Sequence, residues 1–218
     1  MEWSFWAKLG VTVFFFPLLI LFVLRFVKRR PPLTLDADVK LLVVAGSGGH
    51  TTEILRLLSS LSKRYCPRHY VLADSDKMSE EKIRFFEERR AAKYPDSSEL
   101  QFALHRIPRS REVHQSWSSS LLTTIHSLFY SLPLAFKLNP DVVLCNGPGT
   151  CVPICLSAFL FKILRLKKIT IVYVESICRV ENLSLSGKIL YHFSDYFVVQ
   201  WPALKEKYPK SLYFGRIV

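Results

Sequence analysis

No Cys-x-x-Cys pair occurs among the five cysteines (Cys66, Cys145, Cys151, Cys155, Cys178), and no zinc-type Cys/His spacing accompanies them. An odd, unpaired set, four of them in apolar surroundings, reads as reduced buried thiols and not as a disulfide framework. Glycine is scarce, eight in 218 residues, and half of the chain is apolar; collagen-like and disordered classes are thereby excluded. Acids are scarce as well, 18 Asp and Glu against 30 Lys and Arg, for a formal charge of +12. Such an excess points to an anionic partner. Nucleic acid would call for a basic stripe with interleaved aromatics, a zinc-finger spacing or an RNA-binding aromatic motif, none of which is present. A membrane surface and a phosphorylated small molecule remain. The length fits one domain plus an appendage and falls short of two nucleotide-binding-type domains.

The appendage is at the front. Residues 9–24, LGVTVFFFPLLILFVL, contain no charge. With Lys8 snorkelling, the apolar span widens to Trp3–Leu24, within the roughly 17–25 residues that cross a bilayer. A cleavable signal would begin with a basic region, whereas this chain begins Met1-Glu2 and places Arg25, Lys28, Arg29 and Arg30 after the apolar run. The positive-inside rule then puts everything after Arg25 in the cytosol, with Trp3 and Trp6 as interfacial aromatics and Pro17 tolerated in the helix. A soluble helix apolar on all faces would need a large protein around it. The expected organisation is an anchor over 1–30, a linker over 31–38 and a domain over 39–218. Cytosolic topology leaves the sequon Asn182-Leu183-Ser184 unmodified.

Beyond Pro31-Pro32, short apolar runs alternate with helical patterns. Strands are expected over 39–45, 69–74, 101–107, 141–145, 168–174 and 195–200. Helices are expected over 51–65, 79–93 (with Ser79 as its cap), 116–137, 151–165 and 185–193. This alternation, with strands that read as continuous apolar runs, indicates an α/β fold: a Rossmann-like parallel sheet with helices on both faces. Ligands in such sheets bind beyond the carboxyl ends of the strands, at a topological switch point.

The loops there carry the chemistry. After the first strand, Gly46-Ser47-Gly48-Gly49-His50-Thr51 leads straight into a helix. Glycines bring backbone N–H groups close to an anion, and the helix N-terminus adds its positive end. Without Gly-Lys-Ser/Thr this is no P-loop, and Thr51 at the third glycine position breaks the dinucleotide fingerprint; a plain tight turn is the alternative. His50 closes the loop, where a helix N-terminus favours the neutral imidazole that can accept a proton; its alternative is a cap or a ligand hydrogen bond. After the fourth strand, Asn146-Gly147-Pro148-Gly149-Thr150 makes a second glycine turn, and the two turns together can embrace one diphosphate. Glu175, after the fifth strand, can hold a sugar hydroxyl, orient His50, or simply pair with Arg179 or a nearby lysine. Arg106, Arg109, Arg111 and His114 form a basic cluster before the long helix. In that helix Trp117, Leu121, Ile125, Phe129 and Leu132 share a face, which suits either the core or a membrane surface with anionic head groups.

The loop GSGGHT, the turn NGPGT and the run VYVESICRVENLSLSGKILYHFSDYFVVQWPALKEKYPKSLYFG resemble the N-terminal half of GT-B glycosyltransferases. The whole chain, anchor included, resembles the asparagine-linked glycosylation 14 family. That resemblance implies a split UDP-N-acetylglucosamine (UDP-GlcNAc) transferase at the endoplasmic reticulum membrane, with the bulk of this single-pass chain facing the cytosol. This chain would supply the anchor and the acceptor side, and a soluble partner would bind UDP-GlcNAc. The product would be the second, β-1,4-linked GlcNAc on GlcNAc-diphosphodolichol, formed with inversion. The enzyme of the preceding step is an expected neighbour, no cofactor or metal is implied, and the chain alone would be inactive. Gly46, Ser47, Gly48, Gly49, Thr51, Gly147, Gly149 and Thr150 would hold the acceptor diphosphate. His50 and Glu175 would serve catalysis, Arg106, Arg109 and Arg111 would contact acceptor or membrane, and Arg216, Ile217 and Val218 would dock the partner. The sequence stops where a fused transferase would continue into its donor domain. Two rivals stand beside this reading: a membrane recruiter with a vestigial fold, and a membrane-bound NAD(P) oxidoreductase using Asp74 on the ribose, the latter disfavoured by the broken fingerprint and the absence of a Tyr-x-x-x-Lys pair.

Overall fold

Valine-, isoleucine- and leucine-rich runs bury on both sides only in the middle of a covered parallel sheet, and that is where a computed structural model places them. It describes residues 38–94, 101–110, 115 and 117–218. The expected anchor, the linker up to residue 37, Arg111 and His114 lie outside the described residues. The strands are β1 (Leu41–Val44), β2 (Arg68–Ala73), β3 (Phe102–Ile107), β4 (Val142–Asn146), β5 (Thr170–Val174), β6 (Tyr196–Val199) and β7 (Leu212–Tyr213). All neighbours pair in parallel, in the order β3-β2-β1-β4-β5-β6-β7.

Helices α1 (Gly49–Ser59) and α2 (Lys77–Lys93) lie on one face of the sheet, and α3 (Trp117–Leu138) and α4 (Cys151–Ile163) on the other. Two shorter helices, α5 (Leu185–Leu190) and α6 (Pro202–Lys207), complete the set among the described residues. Alternate residues of each strand divide the core accordingly. Leu42, Val44, Val143, Cys145, Ile171 and Tyr173 pack with Ala135 of α3 and Ile154 and Ala158 of α4, while Leu41, Val43, Tyr70 and Leu72 pack with Ile54 and Leu58 of α1 and Ile83 of α2.

Several local expectations change. The first helix stops at Ser59, short of 65. The second is capped by Asp76, whose carboxylate accepts from the Ser79 N–H at 3.1 Å; Ser79 lies inside the helix. Helix α6 and strand β7 were not anticipated. Cys66, Cys145, Cys151 and Cys155 are buried reduced thiols, whereas Cys178 is exposed. Helix α3 decides between the two orientations its stripe allowed. Ser120, Ser127, Ser131 and Ala135 are its buried residues, while Leu121, Leu122, Ile125, Phe129, Tyr130 and Phe136 are exposed. The small side chains let α3 settle against the domain, and the Ser131 hydroxyl is satisfied within the helix by the Ser127 carbonyl at 2.8 Å. By length and composition Ser119–Leu138 could cross a bilayer, yet it lies along the domain with its apolar side outward.

Candidate functional site

Strand order reverses direction between β1 and β4, which makes this pair the switch point. Their register sets Val44 opposite Cys145, so the two glycine turns leave the sheet side by side. Each turn needs its leading glycine. A Cβ on Gly46 would lie 2.6 Å from Pro148 Cβ, and one on Gly147, where φ is +74°, would overlap the His50 ring. Thr51 is fully buried; its hydroxyl donates to the Gly46 carbonyl and lies 2.6 Å from that of Ser79, which bonds Asp76 at 2.6 Å. The first turn is thus clamped onto α2.

A cavity of about 620 Å³ opens at this point, within the range of roughly 300–1,000 Å³ usual for small-ligand sites. Gly46, Ser47, Gly147, Gly149 and Thr150 line it, as do Arg109 from the β3–α3 connection and Arg179 from the β5–α5 connection. The segment leading into α1, the start of α4 and two arginines therefore border one space. Such a border can hold an anionic group. Among the expected phosphate positions, Gly48 and Gly49 are exposed and Thr51 braces the loop; none of the three is on the cavity wall.

His50 is half-buried and not itself on the cavity wall; its ring lies over Gly147, which is. Its Nδ1 is 3.3 Å from Asn146 Oδ1, and the Asn146 amide nitrogen donates to the Val174 carbonyl at 3.3 Å. That second bond fixes which end of the amide faces the histidine. Oδ1 can only accept, so Nδ1 is the protonated nitrogen facing it, and in the neutral ring the lone pair is on Nε2. A fixed tautomer with its lone pair on Nε2 is the form a general base requires.

Glu175 has a different situation. It is fully buried, and its carboxylate accepts from the Ser176 N–H (3.1 Å), the Ser184 N–H (3.0 Å) and the Ser184 hydroxyl (3.0 Å). Burial pushes its pKa above the usual carboxylate value, against the lowering effect of those bonds. With its oxygens engaged and no place on the cavity wall, Glu175 shapes the loop that carries Arg179 and the cavity-lining Ser184, the N-cap of α5. Gln200 reinforces the loop, donating to the Glu175 carbonyl at 2.8 Å and accepting from the Ile217 N–H at 3.2 Å.

Arg106 is turned away from the cavity, bonded to Glu80 and, at 2.7 Å, to the Asp74 carbonyl. The C-terminal residues lie at the β6–β7 edge: the Arg216 guanidinium sits 5.3 Å from the Trp201 ring centre, and Ile217 is 38% exposed. Sequence reasoning missed two residues, Asn146 as the orienter of His50 and Arg179 as a cavity cation. Both sit directly in the strand-end segments already singled out, but their contacts join positions far apart in the chain. No cluster of three or more metal-ligand side chains occurs among the described residues.

Comparison with known proteins places these features in context. A family profile described as "Oligosaccharide biosynthesis protein Alg14 like" matches residues 41–217. A human protein named UDP-N-acetylglucosamine transferase subunit ALG14 is 62% identical over 212 residues, 97% of this chain and 96% of its own length. A similarly named protein from Schizosaccharomyces pombe is 46% identical over 179 residues, 80% of this chain and 81% of its own length. Among solved structures, MurG of Acinetobacter baumannii superposes with a TM-score of 0.51 at 15% identity, over 76% of this chain and 42% of that one. The last similarity establishes the fold, a GT-B-type half.

Proposed function

This chain belongs to the family of Alg14-like oligosaccharide biosynthesis proteins, and from that premise we propose that it is the acceptor-side, membrane-anchored subunit of a UDP-GlcNAc transferase. A separate soluble subunit binds the donor. The reaction adds the second GlcNAc, β-1,4-linked, to GlcNAc-diphosphodolichol on the cytosolic side of the endoplasmic reticulum. The name "subunit" carried by relatives that this chain matches almost end to end supports a partner.

The observation that carries the reading is the cavity at the switch point, with two glycine turns and two arginines around it and the His50 imidazole packed over Gly147 of one turn. The acceptor diphosphate lies between the turns, held by Gly46, Ser47, Gly147, Gly149, Thr150, Arg109 and Arg179. Its sugar reaches toward His50. As the acceptor 4-hydroxyl oxygen attacks the donor anomeric carbon, Nε2 takes the hydroxyl proton, the bond from that carbon to UDP breaks, and configuration inverts. The proton then passes to water. Asn146 keeps His50 in the reactive tautomer, and Glu175 holds the β5–α5 loop in place.

Membrane attachment fits the same arrangement. The exposed apolar side of α3 borders the cavity at Leu121, and neither α3 nor α4 contains an acid. The anchor expected over residues 1–30 would hold this side at the bilayer, and the β6–β7 edge with Arg216, Ile217 and Val218 would meet the partner. The test is reconstitution: the full chain is purified with and without the UDP-GlcNAc-binding partner and assayed for transfer to a short lipid-diphosphate-GlcNAc. Transfer only in the presence of both chains is expected. Undiminished transfer after replacing Arg109, Arg179 and His50 together would instead identify a recruiter with a vestigial site.

A further inference from the structure

The cavity wall is built of two unlike kinds of residue. Beside the glycine turns, Arg109 and Arg179, it is lined by Leu121 of α3, Val152 and Leu156 of α4, and Leu185 and Ile189 of α5, with hydroxyl side chains of Ser120, Thr124, Ser184 and Ser186 in the same lining. The apolar set carries no charge. It also opens outward, because Leu121 and Leu185 are 62% and 43% exposed. From Leu121, steps of four residues lead to Ile125 and Phe129 along the outer face of α3. An apolar set beside cationic side chains is mismatched to a purely hydrophilic sugar diphosphate, whose polar groups would lose water against it. It matches a ligand whose alkyl chain is esterified directly to the phosphate.

We propose that this apolar set forms a slot that binds the first isoprene unit of a polyprenyl-type diphosphate, with Leu156 and Ile189 as its chain-contacting residues and the Leu121–Ile125–Phe129 stripe as the path by which the remaining chain leaves for the bilayer. The proposal rests on the reading of the glycine turns and arginines as a diphosphate site. Recognition of the acceptor then includes the carbon chain nearest the phosphate, and the lipid is more than a passive tether.

The experiment compares two water-soluble probes, methyl diphosphate and 3-methylbutyl diphosphate, which differ only in four carbons and are too short to partition strongly into micelles. Their affinities are measured calorimetrically on the full chain co-purified with its donor-binding partner. The branched probe is expected to bind about tenfold more tightly or better, the gain that burying four further carbons supplies. Leu156→Trp and, separately, Ile189→Trp fill the slot and are expected to erase that gain, while methyl diphosphate binding stays within about twofold and reports an intact fold. Equal affinity of the two probes for the unaltered complex would overturn the slot and leave the diphosphate site standing. A gain that survives both substitutions would overturn the assignment to these residues. Failure of both probes to bind would remove the diphosphate reading, and the slot with it.

Discussion

The two helical layers of this domain are built on opposite plans. Helices α1 and α2 carry Glu53, Glu80, Glu81, Glu87 and Glu88 among seven lysines and arginines, and two of the five carboxylates form ion pairs: Glu80 with Arg84 and Arg106, Glu87 with Arg90 and Arg68. Helices α3 and α4 have no acid and only Lys137 and Lys162 as bases. Their exposed surface is instead leucine, isoleucine and phenylalanine. One layer presents charges and the other apolar side chains, and the switch-point cavity opens beside the second.

The comparison is broken most severely inside the charged layer. Glu87 lies between two buried arginines, at 3.5 Å from Arg68 Nη1 and 2.6 Å from Arg90 Nε. Glu87→Ala would strip both guanidinium groups of this partner and is expected to cost about 3–5 kcal/mol in chemical denaturation. Glu175→Ala comes next. It strands the N–H groups of Ser176 and Ser184, and a loss of about 2–3 kcal/mol is expected, with acceptor binding impaired because Arg179 is no longer held. On the apolar layer, Ser131→Leu forces a large side chain into the buried side of α3 and should cost about 1–3 kcal/mol. The complementary change, Leu122→Ser on the exposed side, is expected to leave denaturation within about 0.5 kcal/mol of the parent. Equal costs for these last two would mean that α3 is not oriented as described.

A smaller, pH-dependent effect comes from the sheet. His69 and His105 face each other on β2 and β3, with ring nitrogens 3.2 Å apart. Burial lowers both pKa values, helped by Lys137 at His105 and by His105 and Lys40 at His69. The folded state therefore binds fewer protons than the unfolded chain, whose histidines titrate near 6.5. Stability is complete above that pH and declines as pH falls through it toward the lowered folded values. The melting temperature should drop between pH 7 and 5, and His105→Gln should flatten that profile.

What the sequence disclosed and what it withheld follow one physical line. Apolar runs such as Leu41–Val44 and Thr170–Val174 announce buried strands, and glycine turns after β1 and β4 mark the ligand end of the sheet, because these are local signals. The direction of α3 was ambiguous: Leu121, Ile125 and Phe129 form a stripe that suits core or membrane, and only the packing of Ser127 and Ser131 against the domain decides it. Asn146 and His50 are 96 positions apart, and their bond exists only once β1 and β4 are neighbours. Glu175 looked available for chemistry at a strand end, yet Ser184, nine residues on, folds back to occupy it. Arg106 looked like part of a basic patch, and Glu80 neutralises it.

The central claim is that His50, held in one tautomer by Asn146, removes the acceptor proton at the junction of the two glycine turns. It is tested most directly by His50→Ala in the reconstituted two-subunit enzyme, with kcat and acceptor KM measured separately. A fall in kcat of about 10²–10⁴-fold with KM little changed is the expected result; a kcat equal to that of the unaltered enzyme would contradict it.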